Sequence, residues 1–566
     1  MSGDGRLKVV LCWHMHQPCY YNPGSESYEL PWTYLHAVKD YSDMALHLEA
    51  VPAARAVVNF APTLLEQLED YDKHIQAALK HGKRIADSLL DALAHKELPA
   101  DAGARTRLIT ACLRANDQRL IARFPAFQRL ASLARQLVSQ EVGFGYLSDQ
   151  FLFDILTWYH LAWIAERVRR EDRRVLALQD KASQFTWEDR RVLLQIIGEQ
   201  VASIIPRYRK LAERGQVELS VTPYAHPILP LLLNPRSARD ALPDVHLPAL
   251  EGYPGGAERA RWHIEHGVQV FKHCFGFEPA GCWPAEGGVS TATLAALDQA
   301  GFKWAATGEQ VLRNSLVAGA ALVEGDSGLH RPYAMSGQNI ACFFRDDGLS
   351  DLIGFTYATW HADDAVANLT HHLETMATTY ADNPNRVVSI ILDGENAWES
   401  YPENGYYFLS ALYERLAHNK RIELTTFSDC LKSGVKPDVL SKMISGSWVY
   451  GTFSTWIGDR DKNHAWEMLV EAKQAFDEAM NSGAFTGKAR RDAERQLALC
   501  EGSDWFWWFG DYNPADSVRD FDRLYRLHLQ RLYQLLRQEP PGYLAYAFSR
   551  GGGEQEAGGV MRRGKQ

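Results

Sequence analysis

The chain has 566 residues, of which 46% are hydrophobic and 23% are charged, and it carries a formal net charge of −10. This length exceeds one ordinary domain, and the composition excludes a disordered or membrane-embedded protein. The negative charge is spread along the chain and argues against a nucleic-acid-binding surface. Because the first residues do not resemble a signal peptide and no segment approaches the roughly 18 apolar residues of a membrane span, we expect a cytoplasmic protein without nucleic-acid or membrane partners.

Short apolar runs that end in polar residues predict the strands of a parallel sheet. The first run, residues 7–13, leads into His14 and His16, which alternation places on one face. The second run, residues 55–60, is followed by helical periodicity over about residues 64–210. We therefore predict a long helical insertion after the second strand.

The strand pattern returns at residues 216–222 and ends close to His226. Helical segments separate most of the later strand candidates, which are residues 281–286, 302–307, 340–344, 352–355, 387–393 and 422–426. Repeated strand and helix units with acidic and aromatic residues at the strand ends indicate an α/β barrel of seven or eight strands.

Beyond residue 435 the pattern is mainly helical, with amphipathic runs at residues 463–482 and 519–536. Between them lies a stretch rich in aromatic and acidic residues, 502–511, which we interpret as a loop that forms a lid or a sugar platform. The predicted parts are a barrel domain over residues 1–434 that includes the insertion, a helical domain over 435–548 that completes the cleft, and a flexible tail over 549–566.

Two carboxyl groups stand out at predicted strand ends. Asp393 ends an apolar run and precedes a glycine turn, a position at which barrel enzymes place catalytic groups, although it could equally cap the next helix. Glu286 ends another strand candidate, and two carboxyl groups on different strands that face one cavity are the minimum for glycoside hydrolysis. From the residues alone, four other acidic side chains remain comparable candidates: Glu309, Asp346, Asp351 and Glu395.

Five segments resemble, in the same order, the motifs of glycoside hydrolase family 57. They are His14-Met15-His16-Gln17-Pro18; Gly215-Gln216-Val217-Glu218-Leu219 through Pro223-Tyr224-Ala225-His226-Pro227; Gly281-Cys282-Trp283-Pro284-Ala285-Glu286; Leu392-Asp393-Gly394-Glu395-Asn396; and Thr455-Trp456-Ile457-Gly458. The resemblance spans about residues 7–540. The segment after Asp393 most resembles the α-amylase and amylopullulanase branch of the family.

The resemblance implies that Glu286 is the nucleophile and Asp393 the general acid/base of a retaining enzyme that acts on an α-glucan or maltooligosaccharide. It also implies a distorted (β/α)7 barrel with a C-terminal helical domain, α-1,4 and in some members α-1,6 specificity, and no metal ion or other cofactor for the chemical step. A 4-α-glucanotransferase or glycogen branching enzyme shares the covalent intermediate, so the sequence leaves hydrolysis and transfer open.

Eight further residues are predicted to contact the substrate: His16, His226, Trp283, Arg345, Asp346, Trp456, Asp504 and Trp505. The histidines would bind sugar hydroxyls or hold the carboxylates, and the tryptophans would stack on sugar rings; packing in the core is the alternative for both types. Arg345 and Asp346 would anchor hydroxyls or form an ion pair. Asp504 resembles a family position that reaches the substrate from the helical domain.

Two other classes of function remain open. His14 and His16 at the end of the first strand, with His226 and a late aspartate, are similar to the way some barrel amidohydrolases hold zinc. Such an enzyme would lose its activity to a chelator. The non-enzymatic alternative is an inert barrel that only binds glucan, and the presence of both carboxyl groups argues against it.

Overall fold

The computed structural model describes residues 5–139, 147–249, 251–319, 328–383 and 385–553. Most of the predicted tail, residues 554–566, lies outside the described residues. The strands are β1 (Leu7–Met15), β2 (Tyr21–Asn22), β3 (Ser27–Tyr28), β4 (Ala56–Phe60), β5 (Val217–Val221), β6 (Gly281–Cys282), β7 (Trp304–Thr307), β8 (Tyr333–Met335), β9 (Ala341–Phe344), β10 (Val387–Asp393), β11 (Ile422–Leu424) and β12 (Asp438–Leu440).

Seven parallel strands form a curled central sheet in the order β10, β1, β4, β5, β6, β7 and β9. Its two ends meet just beyond β9, where Arg345 bridges to Ser389 of β10 and the Asp346 N–H donates to the Ser389 carbonyl at 2.8 Å. The sheet thus curls into a distorted (β/α)7 barrel, and the predicted fold class is confirmed. Strand β11 pairs with the start of β1, while β8 and β12 extend the sheet at β9.

Helices surround this sheet. In the first half of the chain they are α1 (Trp32–His36), α2 (Ser42–Ala50), α3 (Pro62–His81), α4 (Ser88–Ala94), α5 (Ala102–Cys112), α6 (Pro125–Ser139), α7 (Asp149–Ala162), α8 (Glu166–Glu171), α9 (Arg173–Lys181), α10 (Trp187–Glu213), α11 (Leu229–Leu233) and α12 (Gly256–Phe275). Helices α3 to α10 occupy the segment for which the sequence predicts the insertion. Within the described ranges, no helix combines the length and the apolarity needed to cross a bilayer.

The second half of the chain contains α13 (Thr291–Gln299), α14 (Glu309–Ala318), α15 (Asp347–Asp351), α16 (Ala362–Thr379), α17 (Tyr406–Ala417), α18 (Phe427–Lys432), α19 (Arg460–Asn481), α20 (Gly487–Cys500), α21 (Ser503–Trp508) and α22 (Ala515–Leu535). Helices α19 to α22 form the C-terminal helical region. Because β12 joins the barrel sheet through β8, some residues after 434 belong to that sheet. The domain division near residue 434 stays a prediction.

Three predicted elements differ from the structure. The strand predicted at residues 352–355 is helical, because the Asp346 side chain accepts a bond from the Leu349 N–H and starts α15, which continues as a π-helical turn over Leu352–Thr356. The loop predicted at residues 502–511 contains the short helix α21. The strand predicted at residues 281–286 ends at Cys282, since Pro284 and the left-handed Glu286 turn the chain.

Candidate active site

Residues at or just beyond the carboxyl ends of the barrel strands β10, β1, β5 and β6 lie close together. Asp393 is the last residue of β10 and lies opposite His14 of β1 in the strand register. The Gly394 N–H donates to the His14 carbonyl at 2.7 Å, and a Cβ at Gly394 would lie 2.1 Å from the Met15 sulfur. A larger residue immediately after Asp393 would therefore displace the buried Met15 side chain.

Glu286 lies in the turn that follows β6, and its backbone is strained. Its φ of 55° is in the left-handed region, which costs a non-glycine residue roughly 1–2 kcal/mol. Trp448 holds it in this conformation, because the Trp448 N–H donates to the Glu286 carbonyl at 3.1 Å and the indole Nε1 donates to Glu286 Oε2 at 2.9 Å. Such backbone strain is characteristic of functional positions.

The side chain of Asp393 accepts a hydrogen bond from Asn396 Nδ2 at 2.8 Å. The helix that follows, α17, begins at Tyr406 after Gly405. Asp393 therefore does not cap α17, and its catalytic role stays a prediction.

Burial raises the pKa values of both carboxyl groups. For Glu286, burial and the charges of Asp393 and Asp504 raise the pKa to about 8, against the lowering effect of the Trp448 donor. For Asp393, burial raises the pKa although nearby donors and cations oppose it. Because two interacting buried carboxyl groups resist double ionisation, the pair keeps one proton at neutral pH.

His14 and His226 lie beside the carboxyl pair and form a buried chain of hydrogen bonds. His14 Nδ1 donates to Asn59 Oδ1 at 2.8 Å, the two Nε2 atoms are 3.1 Å apart, and His226 Nδ1 is 2.8 Å from Ser503 Oγ. Burial lowers the pKa of His14 to about 3 and lowers that of His226 well below its usual value. Both imidazoles are therefore neutral at neutral pH, and neither adds positive charge to this region.

His16 connects this chain to the C-terminal helical region. Its Nε2 is 2.7 Å from Asp504 Oδ1, and its ring stacks on His226 with centroids 3.8 Å apart. The other ring nitrogen, Nδ1, is buried and has no hydrogen-bond partner among the described residues. His16, His226 and Asp504 are thus brought together as the sequence predicts for a substrate-binding group, and their contact with a sugar stays a prediction.

The three histidines form the group in the described residues that could hold a metal ion, with candidate ligand atoms within 4.8 Å of one another. A metal lies close to the plane of each imidazole that binds it, as the lone pair does. The stacked rings of His16 and His226 lie in separate, nearly parallel planes, 13° apart. These two side chains cannot bind one ion without rotation of a ring, so the zinc alternative requires a rearrangement.

Arg345 and Asp346 do not pair with each other, which corrects one of the two interpretations offered for them. Arg345 donates to Asp347 at 2.6 Å and to Asp351 at 2.7 Å, whereas Asp346 accepts from His330 Nε2 at 2.8 Å. The guanidinium of Arg345 also lies 5.5 Å from the ring centre of Trp448. Both residues are buried and stabilise the junction at which the sheet closes between β9 and β10.

Three tryptophans predicted to stack on sugars are fully enclosed. Trp283, Trp456 and Trp505 expose at most 2% of their surface. Trp283 packs against Trp448 with ring centres 5.1 Å apart, and Trp505 donates to the Leu499 carbonyl. In this conformation the three rings pack inside the protein, which is the alternative that the sequence left open, and their contact with a sugar stays a prediction.

Sequence reasoning missed the residue that contacts Glu286 most closely. Trp448 lies in the connection after β12, about 160 positions from its partner, and no strand or helix pattern marks it. Asn59, Asn396 and Ser503 were also missed, although Asn396 belongs to the quoted motif after Asp393. Each acts by hydrogen bonding to one of the predicted residues.

A sequence profile described as glycosyl hydrolase family 57 matches residues 10–444. The chain belongs to glycosyl hydrolase family 57. The family resemblance is thereby confirmed. Four of the five motifs, with Glu286 and Asp393, lie within the matched range, whereas Thr455-Trp456-Ile457-Gly458 lies beyond it.

Solved structures of the family share this fold. A branching enzyme from Thermococcus kodakaraensis aligns with 13% identity and a TM-score of 0.58 over 94% of this chain and 90% of its own. An α-amylase from Thermotoga maritima aligns with 16% identity and a TM-score of 0.56 over 94% and 93%. A branching enzyme from Pyrococcus horikoshii aligns with 16% identity and a TM-score of 0.54 over 98% of both chains. At such identities the likeness shows the fold alone.

Proposed function

We propose that this chain is a retaining α-glucan-active enzyme in which Glu286 is the nucleophile and Asp393 the general acid/base. The observation that carries the proposal is the carboxyl pair at two barrel strand ends, close enough that the charge of Asp393 raises the pKa of Glu286. Family membership supports the reaction class.

In the first step, Glu286 Oε attacks the anomeric carbon while Asp393 gives its proton to the departing oxygen, so that a glycosyl ester forms and the glycosidic bond breaks. In the second step, Asp393 takes a proton from the acceptor, which displaces Glu286. Attack requires the single proton of the pair to lie on Asp393. The Trp448 donor favours this arrangement because it stabilises the ionised form of Glu286.

The favoured acceptor in this proposal is water, which makes the protein an amylase or amylopullulanase acting on α-1,4 and in part α-1,6 bonds. If a sugar hydroxyl is the acceptor, the same site performs 4-α-glucanotransferase or branching chemistry. The C-terminal helical region supports either outcome, because α21 reaches the cavity through Ser503 and Asp504.

Two substitutions test the carboxyl roles. We expect Glu286→Gln and Asp393→Asn each to lower activity on soluble starch by several orders of magnitude, with circular dichroism unchanged, because each removes one of the two groups that the double displacement needs. Glu309→Gln is the matched control, since Glu309 also follows a barrel strand but bonds to Arg313. Near wild-type activity in either test variant would refute the assignment.

Separation of the products from maltooligosaccharides, amylose and pullulan identifies the acceptor and the bond. Net chain shortening indicates hydrolysis, longer and shorter products together indicate transfer, and cleavage of pullulan indicates α-1,6 activity. The proposal of a hydrolase fails if reducing ends do not increase while chain lengths are redistributed.

A further inference from the structure

A second pocket lies between the helical insertion and the segment that follows Asp393. The empty space between its lining residues is about 360 Å³, including space that is open to solvent. Lys39 and residues of the 116–123, 162–169 and 398–404 segments line it. Glu286 and Asp393 are not among its lining residues. The pocket is therefore separate from the carboxyl pair.

Positive charge dominates this pocket. Its cationic lining residues are Lys39, Arg119, Arg123 and Arg169, and its carboxylates are Glu166 and Glu399. Glu166 already accepts bonds from Arg123 at 2.8 Å and from Arg170 at 2.9 Å. Its negative charge is thus largely satisfied, and the pocket retains an excess of cations.

Arg169 supplies a second, independent observation, because it is only 5% exposed and its guanidinium is incompletely bonded. Its Nη2 donates to three backbone carbonyls, at 2.7 to 3.2 Å. Its Nη1 has no acceptor within hydrogen-bond distance in the part of the chain that the structure describes. Burial lowers the pKa of Arg169 to about 10, so the side chain remains a cation at neutral pH. A buried donor without an acceptor is costly, and an anion in the pocket would provide one.

We propose that this pocket binds a phosphate group, as inorganic phosphate or as the phosphate monoester of a sugar. The planar guanidinium fork matches phosphate oxygens, and several arginines around one small pocket favour a multiply charged anion over a single carboxylate. Lys39 completes the wall, where its Nζ bonds to Asp40 at 2.6 Å and to Asn404 at 3.0 Å. Arg169 Nε also lies 3.4 Å from Glu166 Oε2, so three arginines share this one carboxylate. The excess charge comes from that cluster and from Arg119.

The pocket shares a wall with the segment that carries Asp393. Trp398, which lines the pocket, donates its indole N–H to the Gly394 carbonyl at 2.9 Å. Asn116 lies 3.4 Å from the Glu399 carbonyl. Phosphate would therefore bind behind the catalytic segment rather than in the sugar cavity, and maltooligosaccharide should not compete with it.

Isothermal titration of the full chain with inorganic phosphate and with glucose 1-phosphate, at low ionic strength, tests the site. We expect one saturable site in the wild type. In Arg119→Gln, the dissociation constant should rise by about tenfold or more, since a charge-assisted bond is lost. Arg129→Gln is the matched control, because Arg129 is exposed on the neighbouring α6 and does not line the pocket. Binding should be unchanged in Glu286→Gln, which separates this result from the proposed catalytic roles.

The relative affinities identify the ligand source. Tighter binding of the ester indicates a sugar phosphate, and equal or tighter binding of the inorganic ion indicates free phosphate. If circular dichroism shows that Arg119→Gln is unfolded, Arg123→Gln takes its place. The proposal is overturned if the wild type binds neither compound, if a folded variant binds as tightly as Arg129→Gln, or if maltoheptaose displaces the phosphate.

Discussion

Replacement of Trp448 by phenylalanine removes one N–H donor from Glu286 and keeps an aromatic ring in place. The donor lies 2.9 Å from Glu286 Oε2, and the ring also packs against Trp283. A hydrogen bond to a charged group contributes about 1.5–3 kcal/mol. Without it, the proton shared by the pair moves toward Glu286, and the form with ionised Glu286 and protonated Asp393 becomes rarer.

Because this redistribution moves the proton between the two sites, its effect on activity does not depend on pH while the pair holds one proton. We expect kcat/KM to fall by about 10- to 150-fold at the pH optimum. The alkaline limb of the pH profile should also move upward from about 8, the pKa of Glu286 in the intact site, since the lost donor stabilised the ionised form.

Trp304→Phe is the control for the loss of an indole donor to a glutamate. Trp304 Nε1 donates to Glu218 Oε1 at 2.7 Å, and Glu218 lies near the start of β5, at the opposite end of the barrel from the carboxyl pair. This variant should lose stability but keep kcat/KM within about twofold, because Glu218 has no part in the proton redistribution. If Trp448→Phe behaves in the same way, or if its alkaline limb does not move, the proposed electrostatic role of Trp448 is wrong.

Two further predictions concern pH and metal ions. The pKa of Glu286 is raised from 4.5 to about 8. The contribution of protonated Glu286 to stability is therefore complete below pH 4.5 and is lost as the pH rises to 8. The stability of Glu286→Gln relative to the wild type should increase over this window, by at most about 5 kcal/mol. Urea unfolding at pH 5 and pH 8.5 measures it, and equal differences at both values contradict it. Prolonged treatment with EDTA should leave starch conversion unchanged, since the proposed steps use only carboxyl groups; loss of activity that zinc restores would favour the three-histidine metal centre.

The barrel strands could be predicted because buried parallel strands appear in the sequence as apolar runs with polar ends. The choice of Glu286 and Asp393 among six acidic candidates came from the family resemblance, and it stays a prediction. Strand β10 and Asp393 follow this rule, as do β1 and its histidines. The run at residues 352–355 shows where the rule fails, since a short apolar run suits a strand or a buried helix equally. Here the Asp346 side chain accepts a hydrogen bond from the Leu349 N–H and starts α15, so the run that follows is helical.

The partners of the predicted residues were beyond sequence reasoning for a different physical reason. Whether Trp456 or Trp505 faces a cavity or the core depends on how α19, α20 and α22 pack together. A tryptophan side chain is compatible with either environment, so the residue type alone does not decide. Trp448 acts on Glu286 across a turn that is strained at Glu286 itself, so their contact depends on a backbone conformation that the sequence pattern does not reveal.

The C-terminal helical region contacts the candidate active site directly. Ser503 and Asp504, the first residues of α21, bond directly to His226 and His16, and the Ser503 N–H donates to the His226 carbonyl at 2.9 Å. The buried Lys462 Nζ donates to the carbonyl of Thr455 and to the carbonyl of Phe506, which lies in α21. These contacts fix α21 against the strand ends. In the proposed function, we therefore expect the shape of the wall that α21 forms to influence the choice between water and a sugar as acceptor. Substitutions at Ser503 or Asp504 should therefore alter the ratio of transfer to hydrolysis through the histidines, without removing either carboxyl group.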